Sequence, residues 1–432
     1  MVLTADSVAG TVVGVVGLLV VIVATVVAQR LPAVVVAAPI AGLLIALGLV
    51  DVRDAADEIT TMAPTIGFLA AMLVIADASA RAGVFTWIGS ILAHWSRSSP
   101  HRLLRIVFLA AAATTAVLSL DTTIVLLTPV AVATARRIGA RVTPVAFANA
   151  HLANTASTLM PVSNLTNLLA FSATGLSFLG FTGVMLAPWV AAIVVEYLIF
   201  RLYFADSLAR RAPGSPADEQ PAVEDPPRPT LMLVMLGLLL VAFVVTEPLG
   251  VPLAAVAGVG AAAFTVPRLL DAPLPTLRNT ATALNIPFLG FVAVLGVVIL
   301  PVRTGPIGDW IGGLIPGEST LLALLAVAAL AAVLANLVNN LPATLLLIPL
   351  VAHDPGLVLA MLLGVNLGPN LAYFGSLANL LWRDIMRRDS TGGGRGSPTS
   401  REYLRLGALT VPATLVVAVV ALWAVLRLTS VA

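Results

Sequence analysis

Four clusters of small polar side chains interrupt the apolar segments of this sequence. Their hydroxyls and carboxamides both donate and accept hydrogen bonds. The clusters are Ser119, Asp121, Thr122 and Thr123; Asn154, Ser157, Ser163, Asn164, Thr166 and Asn167; Asn339, Asn340 and Thr344; and Asn366, Asn370, Ser376 and Asn379. With the unpaired backbone groups of broken helices, they could bind a small polar solute and a coupling cation. The structural alternative is that Asn, Ser and Thr only join helices by hydrogen bonds.

Asp121 is the one carboxylate in these clusters, and apolar runs flank it on both sides. An ionisable side chain inside a membrane segment is costly and is therefore a functional candidate. A carboxylate can exchange a proton or bind a cation, so we predict a role in ion coupling. The structural alternative is that Asp121 caps a helix that begins at Thr122.

Two further titratable residues lie in apolar runs. His151 precedes Asn154 by about one helical turn. It could relay protons, because imidazole titrates near neutral pH; the alternative is a histidine hydrogen-bonded in the protein core. Glu196 lies near Arg201, and we interpret it as a structural residue within snorkelling reach of the cytoplasmic face.

The composition is that of a membrane protein. Of the 432 residues 59% are hydrophobic and 10% are charged, against about 25% charged residues in soluble domains. Backbone groups in lipid must be paired within the protein, which leaves helices or closed barrels. The apolar runs approach about 20 residues without alternation, so they indicate helices. We therefore predict an all-α integral membrane protein of about 10–12 spans.

Composition also excludes several classes of function. The sequence has no Cys, so thiolate metal sites and thiol chemistry are excluded. Its net charge is +2, and its Arg residues lie in loops rather than in a basic patch, which argues against nucleic-acid binding. No motif with hydrolase or metal-ligand spacing accompanies Asp121, His151 or Ser163, so an intramembrane enzyme is a remote alternative. We expect no cofactor beyond a coupling cation, H⁺ or Na⁺.

The chain divides near its midpoint. Residues 205–229 are rich in Pro, Asp and Glu, which predicts a solvated linker. It separates a transmembrane unit at 1–204 from a second one at 230–432. When the second unit is aligned on the first without a gap, Asn154 matches Asn366 and Asn167 matches Asn379. Chance similarity between Leu-rich segments is the alternative, but shared polar positions favour a repeat.

The distribution of Arg predicts that the two units have opposite orientations. Arg favours cytoplasmic loops. Residues 94–105 contain three Arg and the matching 309–319 none, whereas 171–183 contain none and the matching 383–405 contain six. Inverted repeats require such a reversal. We therefore predict a re-entrant hairpin from the cytoplasm, 103–135, with its tip at 119–123, a second from outside, 319–351, with its tip at 339–342, and a cytoplasmic linker.

At these residues the chain resembles the arsenical pump membrane proteins, the bacterial arsenite permeases. The resemblance rests on Ala153-Asn-Thr-Ala-Ser157, Val162-Ser-Asn-Leu-Thr-Asn167, Asn339-Asn-Leu-Pro342, Leu367-Gly-Pro369 and Gly375-Ser-Leu-Ala-Asn-Leu-Leu-Trp382. It covers nearly the whole chain except the linker and the ends. The wider ion-transporter superfamily also contains sodium/proton antiporters and carriers of dicarboxylates and citrate. The resemblance implies a secondary transporter.

The sequence departs from the permease pattern at three positions. Permeases carry Asp where this chain has Asn154 and Asn366, and Lys where it has Asn370. Asp121 matches a retained Asp. These replacements remove charges, which bears on the coupling ion and the substrate.

The function that we predict is efflux of arsenite or antimonite in exchange for protons, at the plasma (inner) membrane. The rival is a sodium- or proton-coupled carrier of a dicarboxylate, citrate or sulfate. No Arg lies in the four clusters, which favours a neutral solute. The expected partners are a small inorganic or organic solute and the lipid bilayer, but no nucleic acid. A homodimer stays open, and ATP drive would need a separate ATPase subunit, because the sequence has no P-loop.

Overall fold

The computed structural model describes residues 7–27, 31–209, 226–391 and 399–429. Throughout these residues the chain forms helices joined by turns, and none of them lies in a β-strand. Apolar segments form helices because a helix pairs its backbone groups within the segment. The predicted all-α membrane fold is confirmed.

The helices of the first half carry the first two polar clusters. They are α1 (Val8–Val27), α2 (Val34–Ala46), α3 (Val52–Arg81), α4 (Val84–Ser96), α5 (Pro100–Val117), α6 (Leu120–Thr122), α7 (Thr128–Arg137), α8 (Val142–Thr155), α9 (Leu165–Phe171), α10 (Phe178–Tyr203) and α11 (Ala205–Ala209). Thr123–Leu127 forms one π-helical turn between α6 and α7. Of the predicted linker, residues 210–225 lie outside the described residues.

The helices of the second half carry the other two clusters. They are α12 (Thr230–Thr246), α13 (Leu253–Asp271), α14 (Pro273–Ala283), α15 (Ile286–Arg303), α16 (Pro306–Gly312), α17 (Leu321–Val338), α18 (Asn340–Val351), α19 (Pro355–Leu367), α20 (Leu377–Thr391) and α21 (Ser400–Thr429). The polar segment 391–399, which is rich in Gly and Ser and is predicted to be a loop, falls largely on residues 392–398, which the structure does not describe.

Eight helical stretches of the described chain are long and apolar enough to cross a membrane. They are Val8–Val27, Val52–Arg81, Phe178–Tyr203, Thr230–Leu249, Leu253–Asp271, Pro273–Arg303, Leu321–Val338 and Ser400–Thr429. Shorter apolar helices include Val34–Ala46, Asn340–Val351 and Pro355–Leu371. The multi-pass character is thus clear, whereas a count of 10–12 spans stays a prediction, because it depends on how the short helices combine.

The chain breaks at both predicted hairpin tips. Between α5 and α6, the Ser119 hydroxyl accepts a hydrogen bond from the backbone N–H of Thr122 at 3.3 Å. Between α17 and α18, the Asn339 carboxamide accepts one from the N–H of Leu341 at 3.4 Å, and Asn339 has a positive φ of 75°. Each side chain thus satisfies a free N–H at the start of the second hairpin arm.

Small residues let the second hairpin approach its neighbour closely. A Cβ atom on Gly364 of α19 would lie 2.3 Å from the carbonyl oxygen of Ala328 of α17. On Gly368 it would lie 2.6 Å from the Cα of Ala332. Close backbone packing between small residues is how membrane helices gain van der Waals contact. Elsewhere the final long helices of the two halves, α10 and α21, pack along each other.

Polar contacts join segments that the Arg distribution assigns to the same side of the membrane. Arg136 pairs with Asp389, and both lie in segments predicted to be cytoplasmic. Glu247 accepts a hydrogen bond at 2.7 Å from the backbone N–H of Phe178, at the end predicted to be external. His353 contacts the carbonyl of Pro316 at 3.2 Å, between two loops that are also predicted to be external. The orientation itself stays a prediction.

Candidate functional site

The two halves meet at a network of asparagine side chains. Asn154 donates hydrogen bonds to Oδ1 of Asn370 at 2.9 Å and to Oδ1 of Asn379 at 2.8 Å. Asn366 donates to Oδ1 of Asn167 at 2.8 Å. These five residues, which lie on both sides of the linker, are buried. The second and fourth clusters therefore form a single unit.

Asn366 also accepts hydrogen bonds from the first half. Its Oδ1 accepts hydrogen bonds from Nδ2 of Asn164 and Oγ1 of Thr166, each at 2.8 Å. Asn164 Nδ2 further contacts the hydroxyl of Ser157 at 3.1 Å. A buried polar group that is left unpaired costs about 1–3 kcal/mol, so these bonds hold the broken helices in place.

The backbone contacts of the network are repeated in the two halves. Asn167 Nδ2 donates to the carbonyls of Ser157 at 2.7 Å and Met160 at 2.9 Å. Asn379 Nδ2 donates to the carbonyls of Pro369 at 2.7 Å and Ala372 at 3.3 Å. The ungapped alignment that matches Asn167 with Asn379 also matches both pairs of acceptor positions. Each Asn thus closes the break of its own half in the same way.

A small cavity lies where the four clusters approach one another. Its volume is about 60 Å³, and every cluster contributes to its wall. The polar side chains that line it are Ser119, Asp121, Asn164, Thr166, Asn340 and Ser376. Apolar residues, among them Phe68 and Phe288, complete the wall. A solute in this cavity would contact both hairpin tips and both broken helices.

The remaining members of the predicted set lie outside the wall and support it. Thr123 and Thr115 share a hydrogen bond of 2.7 Å across the first hairpin. Ser163 donates to the carbonyl of Ala116 at 2.7 Å. Asn339 donates to the carbonyl of Phe374 at 3.0 Å. Other supporting residues are Thr122, bonded to Ser119, and Thr344, bonded to the carbonyl of Asn340.

Asp121 lies at the junction of two cavities. It lines the small cavity and also a wider one of about 610 Å³, whose wall includes Asn285 and Asp384. Its interpretation as a helix cap is wrong, because Ser119 is the N-cap and Asp121 lies within the first helical turn. A carboxylate that faces both cavities is accessible from the wider one and adjacent to a solute in the smaller one.

The interpretation of Glu196 as a surface-reaching residue is also wrong. Its side chain is fully buried, and it contacts Nδ1 of His151 at 2.9 Å rather than Arg201. Arg201 is exposed and lies 6.0 Å from the ring centroid of Tyr197. Glu196 is the one acidic residue of α10. An isolated carboxylate in a long apolar helix was therefore the signal for a functional candidate.

Comparison with known proteins agrees with this architecture. Residues 18–378 match the sequence pattern of a family described as citrate transporter. The chain belongs to that family. It is also 29% identical to the arsenical pump membrane protein of Escherichia coli over 344 residues, which cover 74% of this chain and 78% of the relative. The resemblance that the motifs predicted is confirmed.

Other relatives are more distant or carry less specific names. The arsenical pump membrane protein of Yersinia enterocolitica is 28% identical over 338 residues, 73% of this chain and 77% of that protein. An uncharacterised transporter of Mycobacterium tuberculosis is 24% identical over 375 residues, 83% of this chain and 85% of that protein. The protein is thus a multi-pass membrane transporter.

Proposed function

We propose that this protein exports arsenite or antimonite from the cytoplasm across the plasma membrane, in exchange for protons. The observation that carries the proposal is the chemistry of the small cavity. It offers hydroxyls, carboxamides and one carboxylate. No Arg or Lys is among the described residues that line it. Such a wall suits a small neutral solute with several hydroxyls.

Undissociated arsenite is a neutral trihydroxide. Each of its hydroxyls can donate one hydrogen bond and accept others, as Ser, Thr and Asn side chains do. While it is ionised, the Asp121 carboxylate can accept hydrogen bonds but cannot donate them. Once it is protonated, it can donate one hydrogen bond and still accept others. Because the chain has no Cys, arsenic would be held through its oxygens rather than through sulfur. Binding through oxygen also leaves the solute free to dissociate.

The same wall is a poor site for a polycarboxylate such as citrate. Two like charges about 4 Å apart repel by about 4 kcal/mol at an effective dielectric constant near 20. A citrate anion in the cavity would lie beside Asp121 without a cationic side chain in the described wall. Helix N-termini could offset part of this repulsion. The anion carrier remains the rival, because the family is described as citrate transporter.

The wider cavity supports loading from the cytoplasm. It is lined by Pro32, Asn285 and Asp384, and Asp384 lies in the Arg-rich segment predicted to be cytoplasmic. A solute entering there reaches Asp121, which borders both cavities. In exchange, a proton would be carried inward, with Asp121 or His151 as candidate relays. No cofactor is needed for this cycle, while a homodimer and a separate ATPase subunit stay open.

The test is flux in proteoliposomes that contain the purified full-length chain. Arsenite and citrate are compared under an imposed pH gradient, an imposed sodium gradient and no gradient. Arsenite movement driven by the pH gradient alone supports the proposal. Citrate movement driven by sodium, without arsenite movement, would establish the anion carrier instead.

A further inference from the structure

We propose that His151, Glu196 and Tyr403 form a buried proton-binding site that is separate from the solute cavity. The inference rests on the proposed function in that the bound proton would be the coupling ion. The three residues come from three different helices, α8, α10 and α21. None of them is among the residues that line the small cavity or the wider one.

The geometry of the site leaves three polar atoms free. His151 Nδ1 and Glu196 Oε1 are 2.9 Å apart, and both side chains are fully buried. The ring of Tyr403 lies 5.3 Å from that of His151, centroid to centroid. His151 Nε2, Glu196 Oε2 and the Tyr403 hydroxyl are buried without a hydrogen-bond partner among the described residues. Buried polar atoms usually find partners, so these free atoms mark a site that the surrounding protein does not fully satisfy.

Charge balance indicates what this pair can bind. With one shared proton, the His151–Glu196 pair is electrically neutral, as an imidazolium and a carboxylate or as an imidazole and a carboxylic acid. Without that proton the pair has a net charge of −1. A net charge in apolar surroundings is costly unless a neighbouring group compensates it. The pair therefore holds one proton until a conformational change exposes it to water.

The surroundings contain few groups that could replace the proton. Phe200 covers one side of the His151 ring at 5.2 Å between centroids. The Tyr373 ring packs against that of Tyr403, with 4.4 Å between centroids and a tilt of 45°. Arg383 lies beyond Tyr373, with its guanidinium 5.9 Å from the Tyr373 ring centroid. The nearest cation in this direction is thus separated from the pair by two aromatic rings.

The other packed elements place their charged groups elsewhere. Helices α5 and α7 pack against α8. On them, Arg102, Arg105 and Arg136 are exposed, and Arg137 at the end of α7 is half-buried. Asp121 of α6 faces the two cavities. On α21, the Glu402 side chain bonds the backbone N–H of Thr399 instead. Among the described residues, Glu196 forms an ion pair only with His151, so the shared proton is what neutralises it.

The proton site is linked to the solute network through α8. Asn370 donates to the carbonyl of His151 at 3.1 Å and to the hydroxyl of Thr155 at 2.9 Å. The same Asn370 accepts from Asn154. A movement of α8 that opens the pair to water would thus also change the asparagine network. Loss of the proton and reorganisation of the solute site are coupled by this contact.

The first experiment follows proton binding itself. Infrared difference spectra are recorded while the full-length protein in lipid is titrated with acid and base. The variants are Glu196→Gln and, as a matched control, Glu318→Gln, because Glu318 is exposed. We expect one carboxyl or imidazole transition in the parent and in Glu318→Gln that is absent in Glu196→Gln. The same transition with the same midpoint in Glu196→Gln would overturn the proposal.

A second variant tests the proposal even if Glu196→Gln does not fold. Tyr403→Phe removes only a hydroxyl that has no partner among the described residues, so the fold should persist. If the hydroxyl belongs to the site, the midpoint of the transition moves in Tyr403→Phe. An unmoved midpoint in a folded Tyr403→Phe would then contradict the proposal.

Transport separates this proposal from the proposed function. Arsenite–arsenite exchange needs no net proton movement, whereas accumulation driven by a pH gradient does. Glu196→Gln should keep exchange and lose gradient-driven accumulation, while Glu318→Gln keeps both. Accumulation at the parent rate in Glu196→Gln overturns the proton site but leaves arsenite transport intact. If the parent moves no arsenite, the substrate assignment fails, and the infrared titration still decides the proton site.

Discussion

Asn154 donates a 2.8 Å hydrogen bond to Asn379, a residue 225 positions further along the chain. The bond from Asn366 to Asn167 is its counterpart with the two halves exchanged, because Asn366 is the repeat equivalent of Asn154 and Asn379 that of Asn167. Two such bonds give the interface between the halves a local pseudo-twofold symmetry. An interface of this kind allows one half to move against the other while both keep equivalent contacts.

The exchanged bonds predict matched effects of mutation. Asn379→Ala leaves Asn154 without one acceptor and also frees the carbonyls of Pro369 and Ala372. Asn167→Ala does the same to Asn366, Ser157 and Met160. Each should lower the free energy of unfolding by about 1–3 kcal/mol. Thermal unfolding in detergent measures both.

The two variants should be destabilised equally, and each should lose transport. Ser172→Ala is a suitable control, because Ser172 is exposed. Strong destabilisation by only one of the two Asn variants would contradict the prediction. It would show that the two helix breaks have matching hydrogen bonds but contribute unequally to the free energy of unfolding.

A second prediction concerns helix packing. Gly364→Ala would place a Cβ atom 2.3 Å from the Ala328 carbonyl oxygen, so α17 and α19 must separate. Overpacking of this kind costs about 1–3 kcal/mol. Gly237→Ala is the matched control, because nothing lies within 4 Å of its added Cβ, and Ala in a helix is favoured by about 0.5–1 kcal/mol. A lower thermal midpoint for Gly364→Ala and an unchanged or higher one for Gly237→Ala are expected.

The orientation of the halves is a third prediction. The Arg distribution places 205–229 in the cytoplasm and 171–181 outside. Phe178, in the segment predicted to be external, contacts Glu247 at the far end of α12, the helix that follows the linker predicted to be cytoplasmic. A single Cys introduced into each segment of this Cys-free chain can be labelled with an impermeant thiol reagent in intact cells. Cys at 171–181 should react and Cys at 205–229 should not; equal labelling of both would exclude inverted repeats.

Apolar runs and the polar residues that interrupt them were sufficient to predict the all-α membrane fold, the breaks at 119 and 339 and the residues of the asparagine network. The reason is physical: polar residues and helix breakers inside apolar segments have few functions other than binding or helix pairing. The partners of Asn154 could not be predicted, because the matching segment of the second half offers several polar side chains, among them Asn370, Ser376 and Asn379. Only the packing of α8 against the second half decides which acceptors it reaches.

Two side-chain roles depended on local geometry that sequence does not specify. Ser119 and Asp121 are both good N-cap residues, and the cap position differs by only two residues. The structure assigns the cap to Ser119, which frees Asp121 to face the cavities. Glu196 could extend toward the cytoplasmic face or turn inward, and the choice depended on His151 lying opposite on α8.

The last prediction concerns Asp121. Asp121→Asn keeps the size of the side chain and removes its charge and its capacity to exchange a proton. Because Ser119 provides the cap, neither Asp121→Asn nor Asp121→Ala should destabilise the hairpin by the loss of about 1 kcal/mol that a cap substitution causes. Ser119→Ala should show that loss. Thermal unfolding of the three variants shows whether Ser119 or Asp121 caps the helix.

Transport should be lost in the Asp121 variants, which are the variants expected to keep their stability. Asp121→Asn and Asp121→Ala should both lose flux driven by a pH gradient, because the carboxylate borders the solute cavity and the wider cavity. Asp77→Asn is the control: Asp77 forms an exposed pair with Arg81 at 2.8 Å, and loss of such a pair costs about 0–1 kcal/mol. Its flux should match the parent. Gradient-driven flux at the parent rate in a folded Asp121→Asn would remove Asp121 from the coupling mechanism and leave the His151–Glu196 pair as the proton carrier.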